Sequence, residues 1–178
     1  MSLRLAIDGY NIIGATYGME MLNRDIEGVR DMLIKRLAEY RKSRAKEGTL
    51  RMTVVFDGTR SGRLSRSREM VAGIEVVFSR SGELADHILK EMAKNTREGL
   101  TLVTSDRDVA DYAKRQESVV ISSEEFNDIL EMAAYSDMKG VEMEDEDEIP
   151  SGVGGAKKGP ARRLSKVERK KKKRLKKL

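Results

Sequence analysis

Short apolar runs alternate with amphipathic stretches along the first 136 residues, and this alternation restricts the fold more than any other feature. Residues 3–8, 51–57, 74–78, 100–104 and 119–121 read as buried strands: each is a brief apolar run flanked by turn or polar residues. Residues 24–47 read as a long helix. Ile26, Val29, Leu33, Leu37 and Tyr40 recur at spacings of three and four, with charge on the other face; Asn23 or Asp25 caps the start and Gly48 marks the end. Residues 83–97 repeat the pattern through Ala85, Ile88, Leu89 and Met92, and shorter helices follow over 107–115 and 124–135. Residues 58–70 read as a polar loop with a short helix at its end. Strand and helix in strict alternation imply crossover connections, hence a mainly parallel sheet covered on both faces.

Charge divides the chain into three parts. Residues 1–136 are nearly neutral at −1, residues 137–149 carry −6, and residues 150–178 carry +12. The expected organisation is a domain over 1–136, an acidic then Gly/Pro-rich linker over 137–160, and a basic tail over 161–178. That tail has too few apolar residues for a core of its own and is expected to be disordered, with a helix able to form on binding an anion. A basic appendage on a neutral domain points to a polyanion such as RNA. Cysteine is absent, which excludes disulfides and thiolate zinc sites, and the single His87 argues against a histidine-based centre. No apolar run approaches the ~18 residues of a membrane span. With no signal peptide visible, a soluble cytoplasmic protein is expected.

Acids follow the strands. Asp8 ends the first run, Asp57 the second, Asp106 follows the fourth, and Asp86 lies in the first turn of the helix after the third. The carboxyl ends of parallel strands share one edge, where ligands bind. Carboxylates gathered there repel one another unless a hard cation such as Mg²⁺ offsets them. In IDGYNII, Gly9 suits a tight turn with positive φ and Asn11 stands within reach of Asp8; an Asp-Gly turn followed by an Asn cap accounts for the same residues. Asp86 and Asp108 equally suit the dipole of a first helical turn, and Ser105 or Asp106 equally suits a helix cap. Arg60, Arg63, Arg66 and Arg68 recur in the loop after Asp57, with Arg80 nearby, and this spacing suits phosphate contacts along a nucleic acid. Tyr10 and Tyr17 are the aromatic residues placed to stack on bases, although Tyr10 equally suits the core.

Taken in order, IDGYNII, VVFDG, ELADHILKEMA and LVTSDRDV resemble the NYN domain family, in its YacP-like branch, within the wider PIN-like nuclease group. The resemblance spans about residues 3–135 and leaves the acidic run and basic tail outside it. It implies a three-layer α/β/α Rossmann-like sandwich and an endoribonuclease dependent on Mg²⁺ or Mn²⁺. By motif, Asp8, Asn11, Asp86 and Asp106 fall on the catalytic positions. Asp8, Asp86 and Asp106 are then the expected metal ligands, with Asp57, Ser105 and Asp108 in support. One departure is visible: the usual pair of acids in the middle helix is Asp86-His87 here, which favours one metal over two. The rival expectation is a non-catalytic RNA-binding or ribosome-associated adaptor. A receiver domain wants a lysine where Ser122-Ser123-Glu124 stands, and a haloacid-dehalogenase-type phosphatase wants an acid at Tyr10, so both fit poorly.

Overall fold

In the computed structural model, residues 3–44, 50–58, 64–96, 99–139 and 166–175 are described. The strands are β1 (Leu3–Asp8), β2 (Leu50–Phe56), β3 (Ser67–Val71), β4 (Ile74–Phe78), β5 (Leu100–Val103) and β6 (Val119–Ile121). The helices are α1 (Gly9–Arg24), α2 (Ile26–Ser43), α3 (Ala85–Asn95), α4 (Arg107–Arg115), α5 (Ser123–Lys139) and α6 (Lys166–Leu175). The sheet runs β3-β4-β2-β1-β5-β6, and every pairing is parallel except β3 with β4. From β1 the chain builds outward through β2 and β4, then returns to the other side of β1 for β5 and β6. The reversal sets the carboxyl end of β1 at the switch point, where an open α/β sheet leaves a crevice.

Two apolar layers flank the sheet. Leu3, Leu5 and Ile7 of β1 face one way, against Ile12 and Ile13 of α1, Leu33 and Leu37 of α2, and Phe126 and Leu130 of α5. Ala6 and Val55 face the other way, against Ile88 and Leu89 of α3 and Val109 and Ala113 of α4. This is the expected α/β/α sandwich.

Three segments depart from the sequence reading. Residues 9–24 form a helix, α1, bent at Gly18 (φ 80°, ψ 158°). Gly9 opens that helix and is not among the positive-φ glycines; it is required by space, because a Cβ there would lie 2.3 Å from the ring of Phe56. Gly9→Ala should therefore destabilise the fold by about 1–3 kcal/mol, since Phe56 is fully buried and cannot yield cheaply. Urea unfolding checks this, and an unchanged midpoint would contradict it. Residues 67–71 are a strand rather than loop and helix. They pair with β4 through the two-residue turn Ala72-Gly73, both at positive φ, as a type I′ hairpin requires. The tail expectation is corrected over residues 166–175: α6 packs beside the edge strand β6. Lys170 Nζ donates to the Glu117 carbonyl at 2.7 Å, Lys171 pairs with Glu125 at 2.7 Å, and Leu175 rests on the core. A helix laid over an edge strand shields an otherwise open template for pairing. The acidic run and the Gly/Pro-rich linker lie outside the described residues.

Candidate functional site

At the carboxyl edge of the sheet, β1 hands its last residue to α1. Asp8 caps the helix, its Oδ1 accepting the Asn11 backbone N–H at 3.3 Å. Its Oδ2 accepts from Asn11 Nδ2 and from the Thr104 hydroxyl, each at 3.2 Å. Asn11 Oδ1 in turn accepts from the Ser105 N–H at 3.3 Å and lies 3.5 Å from the Ser123 hydroxyl. The Ser105 hydroxyl donates to Glu124 at 2.7 Å and accepts the Ser123 N–H at 3.0 Å. One network thus ties together the ends of β1, β5 and β6.

A cavity of about 610 Å³ opens at this edge, and Asp8, Tyr10, Asn11, Asp57, Asp86 and Glu124 are among its lining residues. Asp8 is only 7% exposed. Burial pushes its carboxyl up to about 6, against the pull of its three hydrogen-bond donors, and the facing Asp86 adds to the rise. Asp86 is itself raised, first by burial and then by Asp106 and Asp108, with Lys90 opposing. Burial, which leaves the charged form poorly solvated, is the first cause of both rises.

Asp106 does not line this cavity. It caps α4 by accepting the Val109 N–H at 3.0 Å, while its own N–H donates to the Thr104 hydroxyl at 3.1 Å. Asp108 is exposed and ion-paired with Lys90, which holds its carboxyl below the usual range. Asp57 lies at the rim, one residue beyond β2. Among the described residues, no three His, Asp or Glu side chains are grouped closely enough to hold an ion as they stand.

The basic residues divide sharply. Arg66 directs its guanidinium inward: Nε lies 2.9 Å and Nη2 2.6 Å from Glu83, and Nη1 lies 2.8 Å from Glu91. It thereby pins the β3 side of the sheet to α3 rather than facing outward. Arg68 lies 3.5 Å from Glu75 across the hairpin, and Arg80 is exposed. Arg60 and Arg63 lie outside the described residues. Tyr10 packs on Phe56 with ring centroids 5.2 Å apart, and its hydroxyl accepts from Arg30 Nε at 3.0 Å, so its ring is committed to the core side. Tyr17 is likewise partly buried against the core.

Glu124 and Lys90 were not singled out from the sequence as site residues. The rule that found Asp8 and Asp57 also reaches Glu124, which follows β6 by three residues. Lys90 is one helical turn beyond Asp86, a spacing that places two side chains together.

The profile of the YacP-like NYN domain matches residues 5–177. The match takes in the acidic run and the basic segment, which the sequence reading left outside the family pattern. Two crystal structures resemble this fold. Rae1 (YacP) from Bacillus subtilis is 27% identical, covers 79% of this chain and 80% of its own, and superposes with a TM-score of 0.62. A point mutant of the same protein is 26% identical, covers 76% of this chain and 79% of its own, and gives a TM-score of 0.60. No curated protein matches the chain.

Proposed function

The chain belongs to the YacP-like NYN domain family, whose fold is nuclease-like, and from that membership we propose that it is a metal-dependent endoribonuclease hydrolysing RNA phosphodiester bonds. One observation carries the reading: the buried Asp8 carboxylate shares the cavity at the switch point with Asp57, Asp86 and Glu124. The donors are hard oxygens and few, which suits Mg²⁺ (or Mn²⁺). Mg²⁺ keeps much of its water and takes one or two carboxylates with the substrate phosphate, so three convergent acids are not needed. Asp8 and Asp86 would hold it, with Asp106 reaching it through water. When bound, the ion supplies charge stabilisation of an in-line displacement and lowers the pKa of a water.

The chain's own residues do the rest. Asn11 and Thr104 fix the Asp8 carboxylate and favour its ionised form. Glu124 lies on the same cavity, fixed by Ser105, with its carboxyl held low first by that hydrogen bond. It stays ionised near neutral pH and adds a further negative oxygen ligand to the cavity wall. No helix among the described residues is long and apolar enough to cross a membrane. Exposed Arg80 and the lysines of α6 would draw in the RNA backbone, free or within a ribosome-like particle.

Asp86→Asn tests the assignment. Cleavage should fall on the order of 10²-fold or more, as for loss of other groups that stabilise charge in a transition state. An Asp86→Asn protein cleaving at the wild-type rate contradicts it. Because the metal competes with a proton for Asp8, wild-type cleavage at subsaturating Mg²⁺ should fall about tenfold per pH unit below roughly pH 6. A flat profile between pH 5 and 7 would remove Asp8 from the site.

The basic helix has its own signature. Lys172 and Lys173 are exposed, so Lys172→Glu with Lys173→Glu should leave folding intact. RNA binding should weaken and its log–log salt slope flatten by roughly 0.7 per lost phosphate contact on single strands. An unchanged slope would exclude α6 from the interface. Deleting residues 157–178 is a blunter test, because it also uncovers β6.

A second reading, an RNA-binding adaptor without catalysis, draws support from the lack of three grouped acids among the described residues and from exposed His87 beside Asp86. Tight RNA binding with no hydrolysis in Mg²⁺ or Mn²⁺ would favour it.

A further inference from the structure

The opposite edge of the sheet holds a second cavity, of about 510 Å³, that the proposed nuclease chemistry does not use. Arg4 and Arg51 line it and are direct register partners on the adjacent central strands β1 and β2. Register partners in a parallel pair point to the same face, with backbones about 4.8 Å apart. Like charges directly opposite are unfavourable. Among the described residues neither arginine is paired with a carboxylate. Glu75, on the same cavity, already accepts from Thr53 at 2.7 Å and lies 3.5 Å from Arg68. Arg41 adds a third guanidinium, its Nε donating to the Leu50 carbonyl at 3.3 Å. The remaining wall includes Met70 and Met92, which offer polarizable apolar surface to a flat ring.

We propose that this amino-edge cavity binds a phosphate monoester carrying a planar base, that is, a nucleoside monophosphate, at a site separate from the acidic edge. Arg4 and Arg51, both exposed on neighbouring strands, carry donor forks that suit phosphate oxygens, and an anion between them would offset their like charge. The cavity volume falls in the range typical of small-molecule sites. The assignment does not depend on the nuclease reading, because no residue is shared between the two cavities.

Calorimetric titration with 5′-AMP, adenosine and inorganic phosphate separates the contributions. Saturable binding of 5′-AMP is expected, with adenosine and phosphate each about tenfold weaker or more. The double variant Arg4→Gln/Arg51→Gln should lose about tenfold or more of the 5′-AMP affinity, while its unliganded Tm equals or exceeds that of the wild type. Asp8→Asn should bind 5′-AMP as the wild type does. Absence of saturable 5′-AMP binding at millimolar concentration overturns the proposal. So does binding that survives the arginine substitutions but is lost in Asp8→Asn, which would put the ligand at the acidic edge. Phosphate binding as tightly as 5′-AMP overturns the assignment to a nucleotide.

Discussion

Asp8→Asn is expected to be inactive and yet more stable than the wild type at pH 7.5. The folded protein holds the Asp8 proton up to about pH 6, whereas the unfolded chain releases it near the ordinary aspartate value. A raised acid favours folding below pH ~4, and that contribution is lost as pH rises through about 6. Above that window the buried charge costs about 3 kcal/mol. Asparagine removes the charge and keeps the cap on α1 through its oxygen. Its amide, however, would face Asn11 Nδ2 and the Thr104 hydroxyl, which now donate to Asp8 Oδ2. The net gain is therefore about 1–2 kcal/mol, after about 1 kcal/mol for the lost hydrogen bonding. Urea unfolding at pH 7.5 and pH 4 measures it: the gain should vanish at pH 4. A variant destabilised equally at both values would mean that Asp8 serves the fold rather than a ligand. Loss of activity should reach about 10²–10³-fold or more.

Arg66→Ala carries the next largest effect, on stability. Glu83 is nearly buried, and Arg66 supplies most of its hydrogen bonds as well as its counter-charge. Removing the guanidinium strands a carboxylate beside α3. Breaking a buried pair typically costs 3–5 kcal/mol. The partial exposure of Arg66 brings the expectation to about 2–3 kcal/mol. Glu83 is held below its usual range, first by the Arg66 hydrogen bonds. The pair therefore stabilises above the ordinary glutamate pKa, and its contribution is lost as pH falls through the lower, folded value. The difference between Arg66→Ala and wild type should shrink in acid, and Glu83→Gln should restore part of the loss in the Arg66→Ala background. A deficit independent of pH would assign it to lost packing alone. Because Asp86 follows Glu83 by three residues, a shifted α3 should also weaken cleavage.

The parallel core was legible because each strand is buried on both faces and reads as an apolar run. The same feature exposes the acids, since a carboxylate just past such a run has only the sheet edge to occupy. Asp8, Asn11, Asp57 and Asp86 do line one cavity there. Helix α1 was not legible. Gly9, Gly14 and Gly18 depress its propensity, and it forms because Ile12, Ile13 and Leu22 are buried and Asp8 caps its start. Strand β3 was hidden for the opposite reason: most of its side chains are exposed, so it carries no apolar alternation. The role of Arg66 could not be read from spacing, because its partners Glu83 and Glu91 are distant in sequence and become neighbours only when β3 reaches α3. Helix α6 was read as a charged tail because its attachment rests on two lysine contacts and one leucine.

This carboxyl edge is proposed to cleave RNA with the help of a divalent cation. Incubating a pool of cellular RNA with the full chain, with and without Mg²⁺, tests it most directly, with Asp8→Asn alongside. Discrete internal cuts that require Mg²⁺ and vanish in Asp8→Asn are the expected result. Intact RNA under every condition, or cuts that persist in chelator or in Asp8→Asn, would contradict the account.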